Sequence, residues 1–336
     1  MTQAPVINRT IHISANALAS DIQSDDLEVD CCLWGSLDKP LVVLMGGISA
    51  NRWAIDSEEQ VGWWNQVVHD QAVLNTRDFS FLTFEYVCFD NEPNESEAVV
   101  TTTDQADVLF QIQQQLDLPL FHAVIGSSYG GMVSLAFAAQ YPQALTHLIC
   151  IAAADKNSVK SQALRYIQRQ IMHLGALHAD EQSQNEFTAL ARSLAMVGYR
   201  GEVEWEHRFA KSITGQALDD VSAYLRHHGQ QFAHRFEAGR YSQLSQSIDL
   251  HQIDVRNIQA KTLLVGITSD QMVPVDLLQK LRDKVTADCQ LHLINSIYGH
   301  DGFLLEADAL NHIFNTFLCE QPHDYIERNN RRASGY

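Results

Sequence analysis

Short apolar runs alternate with longer stretches of helical periodicity along this chain, and that alternation restricts its fold more than any other feature. Alternation of this kind is typical of α/β proteins, in which helices cover both faces of a mostly parallel sheet. Several runs are near-continuous in Val, Ile, Leu and Phe, as strands buried on both faces require. The runs are Leu27–Trp34, Leu41–Met45, Phe79–Cys88, Phe121–Ile125, Leu148–Ala153, Thr262–Ile267 and Leu291–Ile294. The polar stretch Gly35–Pro40 predicts a hairpin between the first two runs, so we expect the sheet to begin with antiparallel strands.

The strand-like runs stop between residues 155 and 255. Gln, His, Arg, Ala and Leu recur there at helical spacing, as in Ala163–Leu174, Glu186–Met196 and Leu218–Phe232. Because strand-like sequence returns at Thr262, this segment interrupts one sheet and does not follow a finished domain. We therefore predict an α/β core of residues 1–154 and 256–336, with residues 155–255 as a helical cap. Such a cap suits the carboxyl edge of the strands, where open α/β sheets bind their ligands.

Charge and cysteine content argue against several classes of protein. The 336 residues include 23 basic and 41 acidic ones, and a net charge of −18 repels nucleic acid and anionic lipid. The six cysteines show no CxxC spacing, which favours reduced thiols over a disulfide framework or a zinc ribbon. With no HExxH motif, no signal-like segment and no run of about eighteen apolar residues, we expect a cytoplasmic protein without bound metal. The polar tail, residues 321–336, is expected to be loose.

The motif Gly-Ser-Ser-Tyr-Gly-Gly at 126–131 follows the run Phe121–Ile125 and precedes the helical stretch Met132–Gln140. Glycines two residues to either side of Ser128 allow a strand to turn sharply into a helix, which exposes the serine above the sheet. A glycine-rich turn with a structural role alone is the alternative interpretation. A serine hydroxyl is scarcely ionised at neutral pH, so a nucleophilic Ser128 needs a base and a carboxylate.

The partners of such a serine are expected in the order acid, then histidine, each in a loop after a later strand. Asp270 and His300 each follow one of the last two strand-like runs. We therefore predict a triad of Ser128, His300 as general base and Asp270 as the group that orients the imidazole. Asp301 is a rival acid, but it is adjacent to the histidine in sequence and would point elsewhere.

Attack on a carbonyl also requires backbone N–H donors for the developing oxyanion. In this arrangement one donor is the residue after the nucleophile, here Tyr129, and the other lies in a loop after an early strand. The sequence Gly-Gly-Ile-Ser-Ala at 46–50 follows the run Leu41–Met45, and Ile48 is our candidate for the second donor. A simple tight turn is the alternative for this loop.

Further short motifs occur from about residue 40 to 318, in the predicted core and in the predicted cap. They are Gly-Trp-Trp at 62–64, the 126–132 motif, Tyr-Pro at 141–142, Gln-Arg-Gln at 168–170, Tyr-Arg-Gly-Glu at 199–202, Arg-Phe-Glu-Ala at 235–238 and Gly-His-Asp-Gly-Phe-Leu-Leu-Glu at 299–306. In this order they resemble the homoserine O-acyltransferases of the α/β-hydrolase type. The motifs in the cap are the most specific, because caps vary freely among hydrolases.

The resemblance implies an α/β-hydrolase fold and ping-pong acyl transfer from an acyl-CoA to the hydroxyl of homoserine, in methionine biosynthesis. Acyl-CoA is then a co-substrate, no cofactor is bound permanently, and the protein is a homodimer joined through cap helices. The resemblance also implies that Asp301 contacts the ammonium group of the amino acid and that Arg200 contacts its carboxylate. A zwitterion needs one anion and one cation, and Arg can bind a carboxylate with two hydrogen bonds. Without the resemblance, Arg200 would be interpreted as an exposed cation at a helix end.

The sequence is compatible with more than one acyl donor and more than one acceptor. Many acetyl-transferring members have His-Ala-Leu-Thr-Gly where this chain has Gly-Gly-Ile-Ser-Ala, followed by Asn51 and Arg52. Because succinyl carries a carboxylate that acetyl lacks, Arg52 is a candidate partner for it, and we favour succinyl-CoA slightly; a solvated surface Arg52 is the alternative. Arg165 and Arg169 are candidates for the CoA phosphates. A serine O-acyltransferase stays open, because one methylene changes binding by only ~1–3 kcal/mol, and so does a serine esterase that uses water.

Overall fold

One mostly parallel sheet runs through the part of the chain that the computed structural model describes, which comprises residues 4–18, 27–58, 60–89, 99–178, 180–209 and 216–318. Its eight strands are β1 Ile7–Ile13, β2 Leu27–Trp34, β3 Leu41–Met45, β4 Ser80–Phe84, β5 Phe121–Ser127, β6 Leu145–Ile151, β7 Lys261–Ile267 and β8 Cys289–Ile294. They lie in the order β1-β2-β4-β3-β5-β6-β7-β8. The β1–β2 and β2–β4 pairs are antiparallel, and from β4 to β8 all pairs are parallel. The predicted α/β class is confirmed.

The predicted hairpin between the first two apolar runs is wrong. β4 lies between β2 and β3 and pairs with both. All five residues of β3 are buried, which suits a strand between two parallel neighbours better than one at the antiparallel edge of the sheet. The antiparallel partner of β2 is β1, a mostly exposed strand whose apolar residues are too few to form an apolar run.

Helices pack on both faces of this sheet. In the described residues they are α1 Thr102–Gln115, α2 Tyr129–Gln140, α3 Val159–Ala176, α4 Glu181–Tyr199, α5 Glu202–Phe209, α6 Gln216–Ala233, α7 Ala238–Leu250, α8 Val275–Lys284, α9 Gly302–Leu305 and α10 Ala307–Leu318. Alternate side chains of β3 enter two apolar clusters, with Val43 in the cluster that includes α1, α2 and α8 and Val42 in the one that includes α10. The sheet is therefore covered on both faces, as its apolar strands require.

Five of these helices, α3 to α7, lie between β6 and β7, in the segment predicted as the cap. α3 packs on α4, and α4 packs on α6. Lys156 and Gln252 form an antiparallel bridge, so the segment leaves the sheet and returns to it at neighbouring points. The buried carboxylate of Asp155 pairs with Lys284 of α8, which ties this junction to the core.

The described residues contain no helix that is both long and apolar enough to cross a membrane. Within the same ranges, no group of three His, Cys, Asp or Glu side chains is placed to hold a metal ion. The five described cysteines are all free thiols, and burial raises the pKa of Cys31 to about 11. Cys319 and the tail 321–336 lie outside the described residues.

Candidate active site

Ser128 occupies the sharp turn between β5 and α2. Its backbone has φ 53° and ψ −117°, a conformation that a non-glycine residue adopts rarely and at a cost in free energy. A Cβ atom at position 126 would overlap the carbonyl of Gly130, and one at position 130 would overlap the carbonyl of Met45. The two glycines therefore allow strand, turn and helix to pack closely while the serine projects from the turn.

The side chains of Ser128, His300 and Asp270 lie in one hydrogen-bonded row. Nε2 of His300 is 2.7 Å from Oγ of Ser128, and Nδ1 of His300 is 2.6 Å from Oδ2 of Asp270. The other oxygen of Asp270 accepts hydrogen bonds from the backbone N–H groups of Met272 and Val273. Because the carboxylate accepts a hydrogen bond from the N–H at Nδ1, Nε2 is left as an acceptor for the serine hydroxyl.

The loops that carry the acid and the histidine are joined by Ser269. Its hydroxyl donates to the Ser296 carbonyl at 2.6 Å and accepts from the Gly299 N–H at 3.0 Å. The loop after β7 and the loop after β8 are therefore held together, which places Asp270 beside His300.

The environment of His300 raises the pKa of its imidazole. Burial alone would lower the pKa of this imidazole, but the charge of Asp270 and its hydrogen bond outweigh that effect and raise the pKa above the ordinary 6.5. The charge of Asp301 acts in the same direction, and that of Arg165 opposes it. Asp270 therefore stabilises the imidazolium that proton transfer from a serine creates.

We expect the kcat/KM for the substrate that Ser128 attacks to fall tenfold per pH unit on the acid side, because protonated His300 cannot accept the serine proton. The raised pKa places the midpoint of this fall above pH 6.5. A pH–rate profile measured at limiting concentrations of that substrate checks this, since the pH dependence of kcat/KM reports the pKa values of groups in the free enzyme. A profile without an acid limb, or with its midpoint below 6.5, would contradict it.

The loop 46–50 lies against the turn at Ser128. The Gly46 carbonyl accepts from the Gly130 N–H at 2.9 Å and from the Tyr86 hydroxyl at 2.6 Å. A Cβ at position 47 would be in van der Waals contact with Cβ of Ser128, at 3.8 Å. Ile48 is buried in this loop, and Tyr129 is the first residue of α2, where an N–H has no partner in the preceding helical turn. Both predicted oxyanion donors thus lie in segments that border the serine.

Two glycines bring the end of α4 against the histidine loop. A Cβ at position 201 would overlap the Ile297 carbonyl, and one at position 299 would overlap the Tyr199 carbonyl. Gly299 also has φ +63°, which favours glycine. Through this backbone approach the Tyr199 ring lies 5.8 Å from the ring of His300.

The same approach brings the side chains of Arg200 and Asp301 close together. Nη2 of Arg200 is 3.6 Å from Oδ2 of Asp301, and the two side chains are 17% and 23% exposed. Burial raises the pKa of the Asp301 carboxyl, although the charges of Arg200 and His300 counteract it. The structure therefore places a cation and an anion next to each other, adjoining His300.

Arg52 lies in a different environment. Its Nη1 is 2.5 Å from Asp30 and 2.6 Å from Glu85, and its guanidinium lies 5.5 Å from the Trp53 ring. The side chain is 20% exposed, so it is not the solvated surface residue of the alternative interpretation. Its charge is already balanced by two carboxylates, and it would have to exchange one of them to bind an acyl carboxylate.

A cavity of about 670 Å³ opens beside this cluster. Its walls are formed by the loop 49–51, by Glu85, by Asp301 and by residues of the predicted cap. It is lined by Ser49, Ala50, Asn51, Glu85, Arg192, Met196, Arg200, His228, Gln231, Phe232, Arg235, Phe236, Glu237, Arg240 and Asp301. Arg165 and Arg169 do not line it. Both pair with the buried carboxylate of Asp249, at 2.6 and 2.7 Å, so neither stands at this opening.

Sequence reasoning missed several residues of this region. Glu204 binds Arg200, the ring of Tyr199 lies near His300, and Arg192 lies over the Tyr199 ring at 5.3 Å. The spacing of Arg200, Glu204 and Arg208, four residues apart, was the signal that could have found the first of these. Nothing in this spacing indicated that the carboxylate of Glu204 would be buried.

Comparison with known proteins gives a family model, two relatives and a solved structure that are similar to this chain. A family model of the α/β hydrolase fold matches residues 40–307. A homoserine O-succinyltransferase of Xanthomonas campestris pv. campestris is 32% identical over 291 residues, covering 85% of this chain and 77% of that protein, and a homoserine O-acetyltransferase of Thermobifida fusca is 26% identical over 331 residues, covering 85% and 87%. The crystal structure of a homoserine O-acetyltransferase from Bacillus anthracis is similar at TM-score 0.84 and 14% identity, covering 95% of this chain and 99% of that one.

Proposed function

Because this chain belongs to the α/β-hydrolase family and, within it, to the homoserine O-acyltransferases, we propose that it transfers an acyl group from an acyl-CoA to the hydroxyl of homoserine, in methionine biosynthesis. The observation that carries this proposal is one arrangement of side chains. His300 lies 2.7 Å from Ser128, and the adjacent Asp301 lies 3.6 Å from Arg200. A nucleophile and base thus adjoin a pair of opposite charges, as acyl transfer to a zwitterionic alcohol requires.

In the first half-reaction the oxygen of Ser128 bonds to the thioester carbon while His300 takes the hydroxyl proton. The oxyanion is stabilised by the N–H groups of Ile48 and Tyr129. When the intermediate collapses, the carbon–sulfur bond breaks, the proton passes from His300 to the sulfur, and CoA leaves as its thiol. An acyl-serine remains, and Asp270 keeps the imidazole oriented throughout.

In the second half-reaction homoserine binds with its carboxylate on Arg200 and its ammonium group on Asp301. His300 takes the proton of the substrate hydroxyl, whose oxygen bonds to the acyl carbon. The bond from that carbon to Ser128 then breaks, and the serine oxygen recovers the proton. Binding both charged groups positions the hydroxyl for attack, an advantage that water does not have.

A serine esterase is the rival function, and the same triad serves it. A fold alone does not separate the two activities. The pair of charges at Arg200 and Asp301 favours the transferase, since a water molecule needs neither. Serine is the rival acceptor, because it carries the same charged groups and is one methylene shorter.

For the donor we propose succinyl-CoA over acetyl-CoA. The support is that the relative at 32% identity is named a homoserine O-succinyltransferase, and that the loop 46–50 differs from the acetyl-type sequence. Arg52 stays a candidate for the succinyl carboxylate only if Asp30 or Glu85 releases it. Its present contacts with Asp30 and Glu85 instead favour a structural role, in which Arg52 fixes the position of the chain directly after the loop 46–50.

The experiment that tests the function is mass spectrometry of the protein incubated with each acyl-CoA and no acceptor. We expect a succinyl adduct on the peptide that contains Ser128, discharged faster by homoserine than by serine or by buffer. If buffer alone discharged the acyl-enzyme as fast as homoserine does, the protein would be an esterase. If serine discharged it faster than homoserine, serine would be the acceptor. A larger adduct from acetyl-CoA would overturn the donor, and no adduct from either would overturn the mechanism.

We also propose that residues 155–255 act as a cap and that two copies of the chain associate through it in the cytoplasm. Apolar side chains on α3 and α4 support the association. Tyr166 and Leu174 share one face of α3, Leu190 and Val197 share one face of α4, and all four are about half exposed. Exposed apolar side chains in such number are typical of an interface.

Placing a charge on this face is expected to separate the copies. Leu174→Glu with Leu190→Glu should weaken a dimer at least ~30-fold, or about 2 kcal/mol, because a carboxylate must be desolvated in the interface. Sedimentation velocity over a range of concentrations measures this. Leu37→Glu is the matched control, because Leu37 is an exposed leucine of the α/β domain outside the cap. A monomeric unsubstituted protein, or a double variant that still dimerises normally, would contradict the proposal.

A further inference from the structure

Glu204 of α5 is a buried carboxylate between two arginines. Its side chain is 5% exposed. One oxygen, Oε1, accepts hydrogen bonds from Nη1 of Arg200 at 2.7 Å and from Nη2 of Arg208 at 3.1 Å. The other, Oε2, is buried and has no hydrogen-bond partner among the described residues. Since a buried charge with an unsatisfied oxygen costs stability, this group calls for an explanation other than fold stability.

The two edges of the Arg200 guanidinium have different partners. Nη1 is bound by Glu204 at 2.7 Å, whereas Nη2 faces Asp301 at 3.6 Å, beyond hydrogen-bond distance. Arg200 and Asp301 both line the cavity, whereas Glu204 does not. Glu204, which does not line the cavity, therefore binds Arg200 through Nη1, and Nη2 is the nitrogen that faces Asp301.

Without this restraint the two charges beside the cavity would neutralise each other. An arginine and an aspartate this close attract strongly where water is scarce, and a hydrogen-bonded pair would have to be broken before a zwitterion could enter. Glu204 competes with Asp301 for the same guanidinium. Arg208, whose guanidinium lies 4.9 Å from the Tyr224 ring, holds the competing carboxylate in place.

We propose that Glu204 is a positioning residue that holds Arg200 apart from Asp301, so that the carboxylate and ammonium groups of the amino acid each meet an available partner. This inference rests on the proposed function, because it concerns the acceptor site of the second half-reaction. The hydrogen bonds of Glu204 go to Arg200 and Arg208, and Glu204 does not line the cavity, so it is placed to act through Arg200 and not on the donor. Its removal should therefore alter acceptor binding and leave acylation of Ser128 as it was.

The test separates the half-reactions in Glu204→Gln, which keeps the shape of the side chain and removes its charge. We expect the KM for homoserine to rise ~10- to 100-fold, the cost of misplacing a binding group by about 1 Å. The kcat at saturating homoserine and the rate of acyl-enzyme formation should stay within about threefold of the unsubstituted protein. Glu206→Gln, at an exposed glutamate two residues further along α5, is the matched control and should change none of these quantities.

A second acceptor distinguishes positioning of Arg200 from a general effect on the fold. Propan-1-ol has the hydroxyl group of homoserine but neither of its charged groups, so it needs neither Arg200 nor Asp301. We expect Glu204→Gln to reduce the preference for homoserine over this alcohol ~10-fold or more. Glu204→Asp retains the charge, but its side chain is one methylene too short to hold Arg200 in the same position, so we expect the same loss of preference. This second variant keeps the test valid if the Gln variant does not fold.

The possible failures are distinguishable. If homoserine does not discharge the unsubstituted acyl-enzyme, the proposed function fails and this inference fails with it. If homoserine does so, but both Glu204 variants keep the normal KM and preference, the positioning role alone is overturned. An equal loss for homoserine and for propan-1-ol would also overturn it, because that result indicates a structural role.

Discussion

Ser128→Ala is expected to lower kcat/KM by about 10⁵-fold or more, because removing the nucleophile of such a triad removes the covalent route altogether. Its Oγ is the atom that lies 2.7 Å from Nε2 of His300. The alanine variant should form no acyl adduct with any acyl-CoA. Steady-state rates, together with the intact mass of the protein after incubation with donor, measure both effects. The substitution should not unfold the protein, because alanine adds no atom to the turn.

Ser134→Ala is the matched control for that variant. Ser134 is also buried on α2, and its hydroxyl donates to the Gly131 carbonyl at 2.8 Å. The control should retain the adduct and lose less than tenfold in rate, since a net hydrogen bond contributes about 1 kcal/mol. A Ser128→Ala protein that still accumulates the adduct would assign the nucleophile to another residue.

Arg200→Ala is expected to raise the KM for homoserine roughly 30- to 5000-fold, the 2–5 kcal/mol that truncating one partner of a buried charge pair costs. The lost side chain is the proposed partner of the substrate carboxylate, and its removal also leaves Glu204 and Asp301 without their shared cation. Acylation of Ser128 by the donor does not involve that carboxylate, so the rate of adduct formation should be nearly unchanged. Initial rates over a range of homoserine concentrations, and rapid-mixing measurement of the first half-reaction, separate the two steps.

Arg226→Ala, at an exposed arginine of α6 that does not line the cavity, is the control for the loss of a positive charge. It should leave the KM for homoserine within about twofold, because isolated surface charges contribute little. If Arg200→Ala slowed acylation as much as it weakened homoserine binding, Arg200 would belong to the donor site or to the fold, and the assignment to the acceptor would be wrong.

The residues around Ser128 were predictable because their signals are local. Asp270 and His300 each lie in the loop that follows an apolar run, and in a parallel sheet the carboxyl ends of the strands meet at one edge. Order along the chain was therefore enough to predict that these side chains converge, and the structure places them within hydrogen-bond distance. The glycines at 126 and 130 also indicated where the sharp turn lies, because the turn leaves no space for a side chain at either position.

The surroundings of Arg52 and Arg200 were not predictable in this way. The partners of Arg52 are 22 and 33 residues away along the chain, in a strand and in a loop that only the order of the sheet brings together. The predicted hairpin failed for the same reason, since the insertion of β4 between β2 and β3 depends on pairing between distant segments. Pairing of this kind is decided by the packing of the whole sheet, and no short stretch of sequence encodes it.

The sequence by itself determined the α/β class and the positions of the serine, the acid and the histidine, because periodicity, glycine spacing and chain order are properties of neighbouring residues. Only the tertiary structure decided which charges pair. The close approach of Gly201 to the histidine loop set Arg200 beside Asp301, and burial on α5 gave Glu204 its place between two arginines. Pair energies depend on distance and on the exclusion of water, and both are established when remote segments pack together.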